Sequence, residues 1–288
     1  MISIIISAHN EENAIVETVN SCKKILTLSG NETSEIIVID DGSSDNTFNK
    51  AKETGAKVIR HPCNIGYGRS LKDGINAASN DMIVIIDADG TYSAESIPEL
   101  ISEYRKGFNM VVGARQGTHY DSSFKKKIIR KILKMLVEFT TGRSIPDINS
   151  GLRIFSKKDF MLYINNLCDG FSFTTSLTLT YLMSGKTIKY IPINYHRRVG
   201  KTKVKIISDS LRTLQFIIEA ILYFDPIKIF IVFSLILIVI AFLNFLLTLF
   251  LKLNSTFFIG IGCIMLSILM FGLGLIAVLL KQILHNKT

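Results

Sequence analysis

The sequence predicts an α/β fold with a mostly parallel sheet, followed by an amphipathic helix and a hairpin of two membrane-spanning helices. Three observations carry this prediction. Short apolar segments alternate with helical segments in the first part of the chain, polar residues follow most of these apolar segments, and two long segments near the C-terminal end lack charged residues. Alternation of strands and helices favours a parallel sheet that is covered by helices on both faces.

Five strands are predicted, at 2–7, 35–39, 57–59, 82–86 and 110–113. Four helices are predicted between them, at about 13–28, 45–54, 68–78 and 94–105. In an open parallel sheet, ligands bind outside the carboxyl ends of the strands. The residues that follow each strand are therefore the candidates for a functional site.

The strand at 82–86 ends directly in Asp87-Ala88-Asp89-Gly90. Its continuous run of apolar residues is typical of a strand that is buried on both faces. Residues two apart on an extended chain point the same way, so Asp87 and Asp89 can present both carboxylates to one spot. Hard oxygen ligands of this kind suit Mg²⁺ or Mn²⁺. The alternative is that these acids cap the next helix or lie in a solvated turn, because Asp-x-Asp spacing is common by chance.

Polar residues follow three other predicted strands. The first is followed by the segment 8–12, the second by 40–45 and the fifth by Ala114-Arg115. Ser44 or Asp45 is expected to cap a helix. Several carboxylates at one edge of a sheet would repel each other without a cation or a hydrogen-bonding ligand between them. One common site is therefore favoured over independent caps.

The chain is basic, with 33 Lys and Arg against 24 Asp and Glu and a net charge of +9. The excess lies in two clusters, formed by Lys125, Lys126, Lys127, Arg130, Lys131 and Lys134 and by Arg197, Arg198, Lys201, Lys203 and Lys205. Such patches bind nucleic acid, an anionic membrane surface or a phosphorylated substrate. The apolar segments that follow favour the membrane and the phosphorylated substrate, and no nucleic-acid partner is expected.

The segments 229–251 and 256–280 contain no charged residue. Each is long enough to cross the roughly 30 Å apolar layer of a bilayer as a helix. Basic residues flank both outer ends, which places those ends and the preceding domain in the cytoplasm. The alternative, two apolar helices buried in a soluble core, is disfavoured because long soluble helices normally have a polar face.

The segment 204–226 is predicted to be an amphipathic helix. Its apolar residues recur at near-helical spacing at Ile206, Ile207, Leu211, Leu214, Ile218, Ile221 and Leu222. Such a helix lies in a membrane interface or packs on the soluble domain, and the first interpretation is preferred. The predicted domains are thus 1–203, 204–226 and 227–288, in a multi-pass membrane protein.

Ordered motifs in the chain resemble those of the family 2 glycosyltransferases. They are Ser-Ala-His-Asn-Glu-Glu (7–12), Val-Ile-Asp-Asp-Gly-Ser-Ser-Asp-Asn-Thr (38–47), Asn-Ile-Gly-Tyr-Gly (64–68) and Asp-Ala-Asp-Gly-Thr (87–91). Val-Gly-Ala-Arg (112–115), Asp-Ile-Asn-Ser-Gly-Leu-Arg-Ile-Phe (147–155) and Arg-Val-Gly-Lys-Thr-Lys (198–203) are similar to its polyprenyl-phosphate branch, which includes dolichyl-phosphate mannose synthase. The resemblance implies the GT-A fold for 1–203.

The resemblance also implies roles for individual residues. Nucleotide-binding positions match Ala8, Asn10, Glu11, Asp41, Asp87, Ala88, Arg198 and Lys203. Asp87 and Asp89 match the metal site, and Asp89, Arg115 and Arg130 match catalytic positions, the two arginines as grips on an acceptor phosphate. The alignment leaves the second of these arginine positions open among Lys127, Arg130 and Lys131. The opening motif departs from the family at Ser7 and His9, and Thr91 replaces a glutamine, so the donor sugar does not follow from the resemblance.

The function implied is transfer of a sugar from a nucleotide-diphosphate sugar to a membrane polyprenyl phosphate, by inverting single displacement with Mg²⁺ or Mn²⁺. A lipid monophosphate is largely dianionic at neutral pH and needs no strong base to attack. Two alternatives stay open. A membrane polysaccharide synthase normally uses a Gln-x-x-Arg-Trp signature, and this chain has no Trp. An inactive scaffold of the same fold would not need intact acidic residues. The sugar, the base, the polyprenol and a homo-oligomeric state are undecided by the sequence.

Overall fold

A computed structural model describes residues 1–28, 34–117, 124–199 and 206–285. The chain divides into two compact units, Met1–Phe216 and Ile217–Thr288. The finer division into 1–203, 204–226 and 227–288 stays a prediction.

The first unit is built on one sheet. Its strands are β1 (Ile2–Ala8), β2 (Glu35–Asp40), β3 (Lys57–Arg60), β4 (Met82–Asp87), β5 (Met110–Gln116), β6 (Arg153–Ser156) and β7 (Ile188–Asn194). They form a seven-stranded sheet in the order β3-β2-β1-β4-β6-β5-β7. All neighbouring pairs are parallel except those of β6, which runs antiparallel to β4 and to β5. The predicted α/β fold with a mostly parallel sheet is confirmed.

Helices connect the strands. The first seven described α-helices are α1 (Ile15–Leu28), α2 (Thr47–Glu53), α3 (Tyr67–Asn76), α4 (Ile97–Tyr104), α5 (Phe124–Thr141), α6 (Lys157–Met161) and α7 (Phe173–Met183). The first four match the predicted helices closely, and a 3-10 turn at Ala94–Ser96 precedes α4. Strands β6 and β7 and helices α5 to α7 were not predicted. With only four residues, β6 is too short for its periodicity to be read.

Apolar residues on both faces of the sheet build the core. Along β1, Ile4 and Ile6 pack on one face with α1 and α4, whereas Ile5 packs on the other with α3 and α7. These three side chains are fully buried. A strand that is covered on both faces is mostly apolar, which explains the run of isoleucines at positions 4–6.

The register of the strands brings their ends to one edge. Ala8 at the end of β1 pairs with Asp40 at the end of β2, and Ser7 pairs with Asp87 at the end of β4. Because β6 is antiparallel, its first residue, Arg153, lies beside the ends of its neighbours, opposite Ile85 and Val112. The segment 147–152 that enters β6 therefore lies at the same edge. We call this edge, with the residues that follow β1, β2, β4 and β5, the carboxyl rim.

The second unit contains two long apolar helices. They are α9 (Ile227–Leu251) and α10 (Asn254–His285), preceded by α8 (Ile206–Phe224). By length and composition, α9 and α10 suffice to cross a membrane. The two helices pack together as the predicted hairpin, with paired serine hydroxyls of Ser234 and Ser267 at 2.6 Å and paired threonine hydroxyls of Thr248 and Thr256 at 2.6 Å. Such small polar pairs stabilise apolar helices against each other.

Candidate active site

The loops that follow β1 and β2 hold each other through Asn10. This residue has a left-handed backbone, with φ 51°, a conformation that asparagine tolerates better than most residues. Its amide N–H donates to Ser43 Oγ at 2.9 Å, and its side-chain Oδ1 accepts from Ser44 N at 2.8 Å. The predicted nucleotide residue Asn10 thus lies at the carboxyl rim and also joins its first two loops.

Asp41 is a buried carboxylate that holds the next loop. Its Oδ1 accepts from Ile65 N at 2.9 Å and faces His61 Nδ1 at 3.0 Å, while its Oδ2 accepts from Gly66 N at 3.0 Å. His61 Nε2 in turn faces Asp73 Oδ2 at 3.3 Å. Asp41 is therefore saturated by the segment 61–66, although the nucleotide role predicted for it remains a prediction. We call Asn10, Asp41 and the loops they hold the loop rim.

Asp87, at the end of β4, has a different environment. Tyr67 Oη donates to its Oδ1 at 2.7 Å. Burial and the neighbouring carboxylate of Asp89 raise the pKa of Asp87, and the Tyr67 hydrogen bond and the positive charges of Arg115 and Arg198 oppose that rise. The charges of the two carboxylates therefore oppose each other, and their joint role in metal binding stays a prediction. We call Asp87, Asp89 and the residues that touch them the acid rim.

Gly151 forms the wall behind Asp87. A Cβ at this position would lie 2.3 Å from Asp87 Oδ2, too close for any other residue. Its amide N–H donates to Tyr92 Oη at 2.6 Å, which holds the segment in place. Gly151 is thus a site residue because it lets the backbone approach the carboxylate. It belongs to a motif that the sequence resemblance contained, but no role was predicted for it.

Asp89 is held by its own turn. Its Oδ1 accepts from Thr91 N at 3.1 Å and from Thr91 Oγ1 at 2.6 Å. Its Oδ2 lies 3.4 Å from Arg198 Nη1, and Arg198 Nη2 donates to Glu11 Oε1. Thr91 therefore orients Asp89. The structure brings together Glu11, Asp89 and Arg198, three residues from distant parts of the sequence.

Arg115 is held in a two-pronged ion pair. Its Nε and Nη2 donate to Asp147 Oδ2 and Oδ1 at 2.7 Å and 2.8 Å, and its backbone N donates to Asp147 Oδ2 at 3.1 Å. Burial alone would raise the pKa of Asp147, but the Arg115 guanidinium and these hydrogen bonds hold it below its ordinary value. The guanidinium also lies 5.4 Å from the ring centre of Tyr195. Arg115 is thus oriented at the carboxyl rim by the segment that enters β6.

Four other residues were predicted to belong to the site, namely Ala8, Ala88, Arg130 and Lys203. The carbonyl oxygens of Ala8 and Ala88 accept from Asp41 N at 2.8 Å and from Thr18 Oγ1 at 3.2 Å, so both are fixed in the backbone of the rim. Arg130 lies in α5, but its side chain is outside the described part of the structure. Lys203 is outside the described residues.

Sequence reasoning missed the residues that orient the predicted ones. Tyr67, Gly151 and Asp147 each touch a predicted residue, and they come from α3 and from the loop before β6. All three stand inside motifs that were recognised, so motif membership was the available signal. Their partners could not be assigned, because pairing between distant segments is not encoded in local spacing.

The donor set of the acid rim fits a divalent cation in part. Among the residues that the structure describes, no group of three His, Cys, Asp or Glu side chains is placed to hold a metal ion. Asp87 and Asp89 alone supply two hard oxygen ligands whose mutual repulsion a cation would relieve. Such an incomplete set suits Mg²⁺ or Mn²⁺, which commonly takes its other ligands from water and from substrate phosphates.

Comparison with known proteins agrees with this architecture. Residues 3–163, more than half of the chain, match the model of glycosyl transferase family 2. The chain also resembles the crystal structure of glucosyl-3-phosphoglycerate synthase from Mycobacterium tuberculosis in complex with phosphoglyceric acid, with a TM-score of 0.64, 20% identity and coverage of 76% of this chain and 79% of that one. The same synthase in complex with Mn²⁺, uridine-diphosphate and phosphoglyceric acid gives a TM-score of 0.61 at 20% identity, covering 76% of this chain and 78% of that one.

Curated relatives include undecaprenyl-phosphate 4-deoxy-4-formamido-L-arabinose transferases. The protein of Proteus mirabilis (strain HI4320) is 32% identical over 166 residues, which are 54% of this chain and 49% of that protein. The protein of Enterobacter sp. (strain 638) is 28% identical over 250 residues, which are 84% of this chain and 73% of that protein. In the first of these matches the alignment spans about half the length of the relative.

The sheet and its structural neighbours define a fold of the GT-A class. The chain belongs to glycosyl transferase family 2.

Proposed function

We propose that this chain transfers a sugar from a nucleotide-diphosphate sugar to a polyprenyl phosphate at a membrane. The observation that carries the proposal is the acid rim. Asp87 ends β4, and Asp89 follows two residues later. Arg198 lies 3.4 Å from Asp89, and the positive charge of Arg115 lowers the pKa of Asp87. Negative ligands beside fixed positive charges are what a metal-bound diphosphate and an acceptor phosphate require.

The donor end of the reaction is assigned to the loop rim and the acid rim together. Asp87 and Asp89 would hold Mg²⁺ or Mn²⁺, which supplies Lewis-acid stabilisation of the leaving diphosphate. Asn10, Glu11, Asp41 and the backbone at Ala8 and Ala88 would line the nucleotide pocket. The loops there are pre-formed by their own hydrogen bonds, so little ordering cost would accompany nucleotide binding.

The acceptor end is assigned to the arginines. Arg115 is held in a fixed orientation by Asp147, and a pre-oriented guanidinium suits a phosphate better than a mobile lysine. Arg130 would supply a second positive charge and Lys203 a contact to the donor phosphates. The acceptor oxygen would attack the sugar C1 from the side opposite the leaving diphosphate, which inverts the configuration at that carbon.

The names of the relatives and the apolar helices favour a polyprenyl phosphate over a soluble acceptor. Curated relatives are named as undecaprenyl-phosphate transferases, and α9 and α10 are long and apolar enough to span a bilayer. Helix α8 exposes apolar side chains, among them Leu211, Leu222 and Tyr223. A multi-pass arrangement with the catalytic domain in the cytoplasm would bring the carboxyl rim and the lipid acceptor to the same side.

The direct test is to incubate the purified chain with Mg²⁺ or Mn²⁺, a polyprenyl phosphate and a panel of nucleotide sugars, and to identify the lipid product by mass. We expect one sugar-phosphate lipid, and we expect Asp89→Ala to lower its formation by about a thousandfold because the metal loses a ligand. The matched control is Glu99→Ala, which removes an exposed carboxylate on α4. A wild-type chain that forms no lipid product with any donor would refute the proposal.

The orientation has a separate test. Cys63 is exposed, whereas Cys22 and Cys168 are buried. A membrane-impermeant maleimide should therefore label Cys63 in inverted vesicles and not in intact cells. Labelling of Cys63 in intact cells would place the catalytic domain on the opposite side. Cys63→Ser is the control for label that reaches the partly exposed residue Cys263.

A further inference from the structure

A short segment after β7 lies over the acid rim. Tyr195 forms a bridge with Tyr92, His196 N donates to Thr91 O at 2.9 Å, and Val199 N donates to Asp89 O at 3.2 Å. We call residues 195–199 the strap. The backbone of the strap is thus tied to the backbone of the turn at 89–91, which keeps the side chain of Arg198 near Asp89.

The strap places the guanidinium of Arg198 between two carboxylates. One nitrogen lies 3.4 Å from Asp89 Oδ2 and another donates to Glu11 Oε1. Both carboxylate side chains are about nine-tenths buried, and the side chain of Arg198 is 26% exposed. The third nitrogen, Arg198 Nε, is buried and has no hydrogen-bond partner among the described residues. The guanidinium is therefore held mainly by charge, and its hydrogen bonds are incomplete.

The position of Arg198 stabilises two neighbouring acids but opposes the binding of a cation to them. Asp87 and Asp89 are neighbouring acids with little access to water, and a positive charge nearby stabilises them in the absence of metal. A guanidinium remains charged at any physiological pH, so it cannot be removed from Asp89 by losing a proton. A divalent cation on the same oxygen would stand beside this charge and be repelled by it.

We propose that Arg198 is a built-in competitor of the divalent cation at Asp89, which holds this carboxylate until the cation and the donor diphosphate arrive together. The inference rests on the proposed function and deepens it. When the cation binds Asp89, the diphosphate offers Arg198 new oxygen acceptors within reach of the strap, including acceptors for Nε. Metal alone must displace the arginine without that compensation, so metal and donor bind cooperatively.

The test measures metal binding without donor, acceptor or turnover. The purified full-length chain in detergent is titrated with Mn²⁺ alone, and free Mn²⁺ is followed by electron paramagnetic resonance. We expect Arg198→Gln to bind Mn²⁺ about tenfold more tightly than wild type, the change expected if the arginine occupies Asp89 for about nine-tenths of the time. Arg197→Gln is the matched control, because it removes the same charge from an exposed neighbour and should leave the affinity nearly unchanged.

Two further variants make the result decisive. Asp89→Ala combined with Arg198→Gln should lose the gained affinity, because the gain arises at Asp89. Arg198→Lys cannot bridge both carboxylates and should give an intermediate affinity; it carries the test if Arg198→Gln does not fold by circular dichroism. Unchanged or weaker Mn²⁺ binding in the Arg198 variants, or an equal gain in Arg197→Gln, would overturn the inference. Failure of the proposed function would appear separately, as absence of a lipid product from wild type.

Discussion

The loop rim and the acid rim each contain an aspartate near the carboxyl end of a parallel strand, Asp41 directly after β2 and Asp87 at the end of β4. The two aspartates have opposite environments. Asp41 receives two backbone N–H groups and faces His61, so the charge on each of its oxygens is compensated. Asp87 receives one side-chain hydrogen bond, from Tyr67, and has a second carboxylate, Asp89, beside it. The same residue type at the same edge of the sheet thus has a compensated charge in one loop and a repelled charge in the other.

This difference separates a carboxylate whose charge the surrounding loop compensates from one whose charge is destabilised. Removing Asp41 would release a loop, because its hydrogen bonds hold residues 61–66. Removing the charge of Asp87 would relieve repulsion, because burial and Asp89 both disfavour its ionised form. A carboxylate with a destabilised charge is a candidate for cation binding.

The largest expected effect concerns the ion pair beside the acid rim. Arg115→Ala leaves the buried carboxylate of Asp147 without its partner, and we expect the free energy of unfolding to fall by about 3–5 kcal/mol. Urea denaturation monitored by circular dichroism measures the loss. Arg115→Gln combined with Asp147→Asn should recover at least half of it, because no unpaired charge remains.

The same arginine tests the assignment of the acceptor. With the milder variant Arg115→Lys, we expect KM for polyprenyl phosphate to rise more than KM for the nucleotide sugar. Equal increases in both constants would show that Arg115 serves the fold and does not contact the acceptor.

Gly151 tests how closely the acid rim is packed. In Gly151→Ala the new Cβ would lie 2.3 Å from Asp87 Oδ2, so the carboxylate must move, and we expect kcat to fall by about a hundredfold. Gly170→Ala is the matched control, because its Cβ would meet only Cys168 Sγ at 3.7 Å and Arg212 Nη1 at 3.8 Å, which are ordinary contacts. Similar rates in the two variants would mean that Asp87 tolerates displacement.

A pair of isosteric variants tests the comparison itself. Asp41→Asn places an amide group against backbone N–H donors, and we expect the free energy of unfolding to fall by about 2 kcal/mol. Asp87→Asn removes a repelled charge, and we expect it to leave metal-free stability unchanged or increased by about 1 kcal/mol. Both are measured at pH 7.5 with a chelator present. Equal destabilisation by the two substitutions would show that the charges of Asp41 and Asp87 are equally well compensated in the fold.

The smallest effect is a shift in pH dependence. Burial and Asp89 raise the pKa of Asp87 from 3.8 to about 6. Between these values the folded chain binds more protons than the unfolded chain, so the contribution of Asp87 to metal-free stability is lost as the pH rises from about 4 to about 6. In the proposed metal site the same deprotonation would supply the charged ligand, so Mn²⁺ affinity should increase over this range.

A Tyr67 variant tests what sets the pKa of Asp87. The hydrogen bond of Tyr67 lowers the pKa of Asp87, and Tyr67→Phe removes it, so the pH midpoint of Mn²⁺ binding should move up by about 0.5–1 unit. Tyr104→Phe is the control, since Tyr104 lies at the end of α4, away from the rim. A midpoint that stays in place would show that Tyr67 does not influence the charge of Asp87.

The sequence by itself determined strands β1 to β5, the edge of the sheet at which they end and the pair Asp87 and Asp89. These follow from periodicities of a few residues and from the rule that consecutive parallel strands end at one edge. It also determined that α9 and α10 are long apolar helices, because length and the absence of charge are local properties.

Only the tertiary structure decided which residues complete the site. The antiparallel insertion of β6 delivers Gly151 and Asp147 to the rim, and the strap delivers Arg198 to Asp89 and Glu11. These partners are far apart in sequence, and their contacts depend on how the whole sheet is ordered. The physical reason is that hydrogen bonds and ion pairs between distant segments leave no periodic trace in the sequence, whereas strands and helices do.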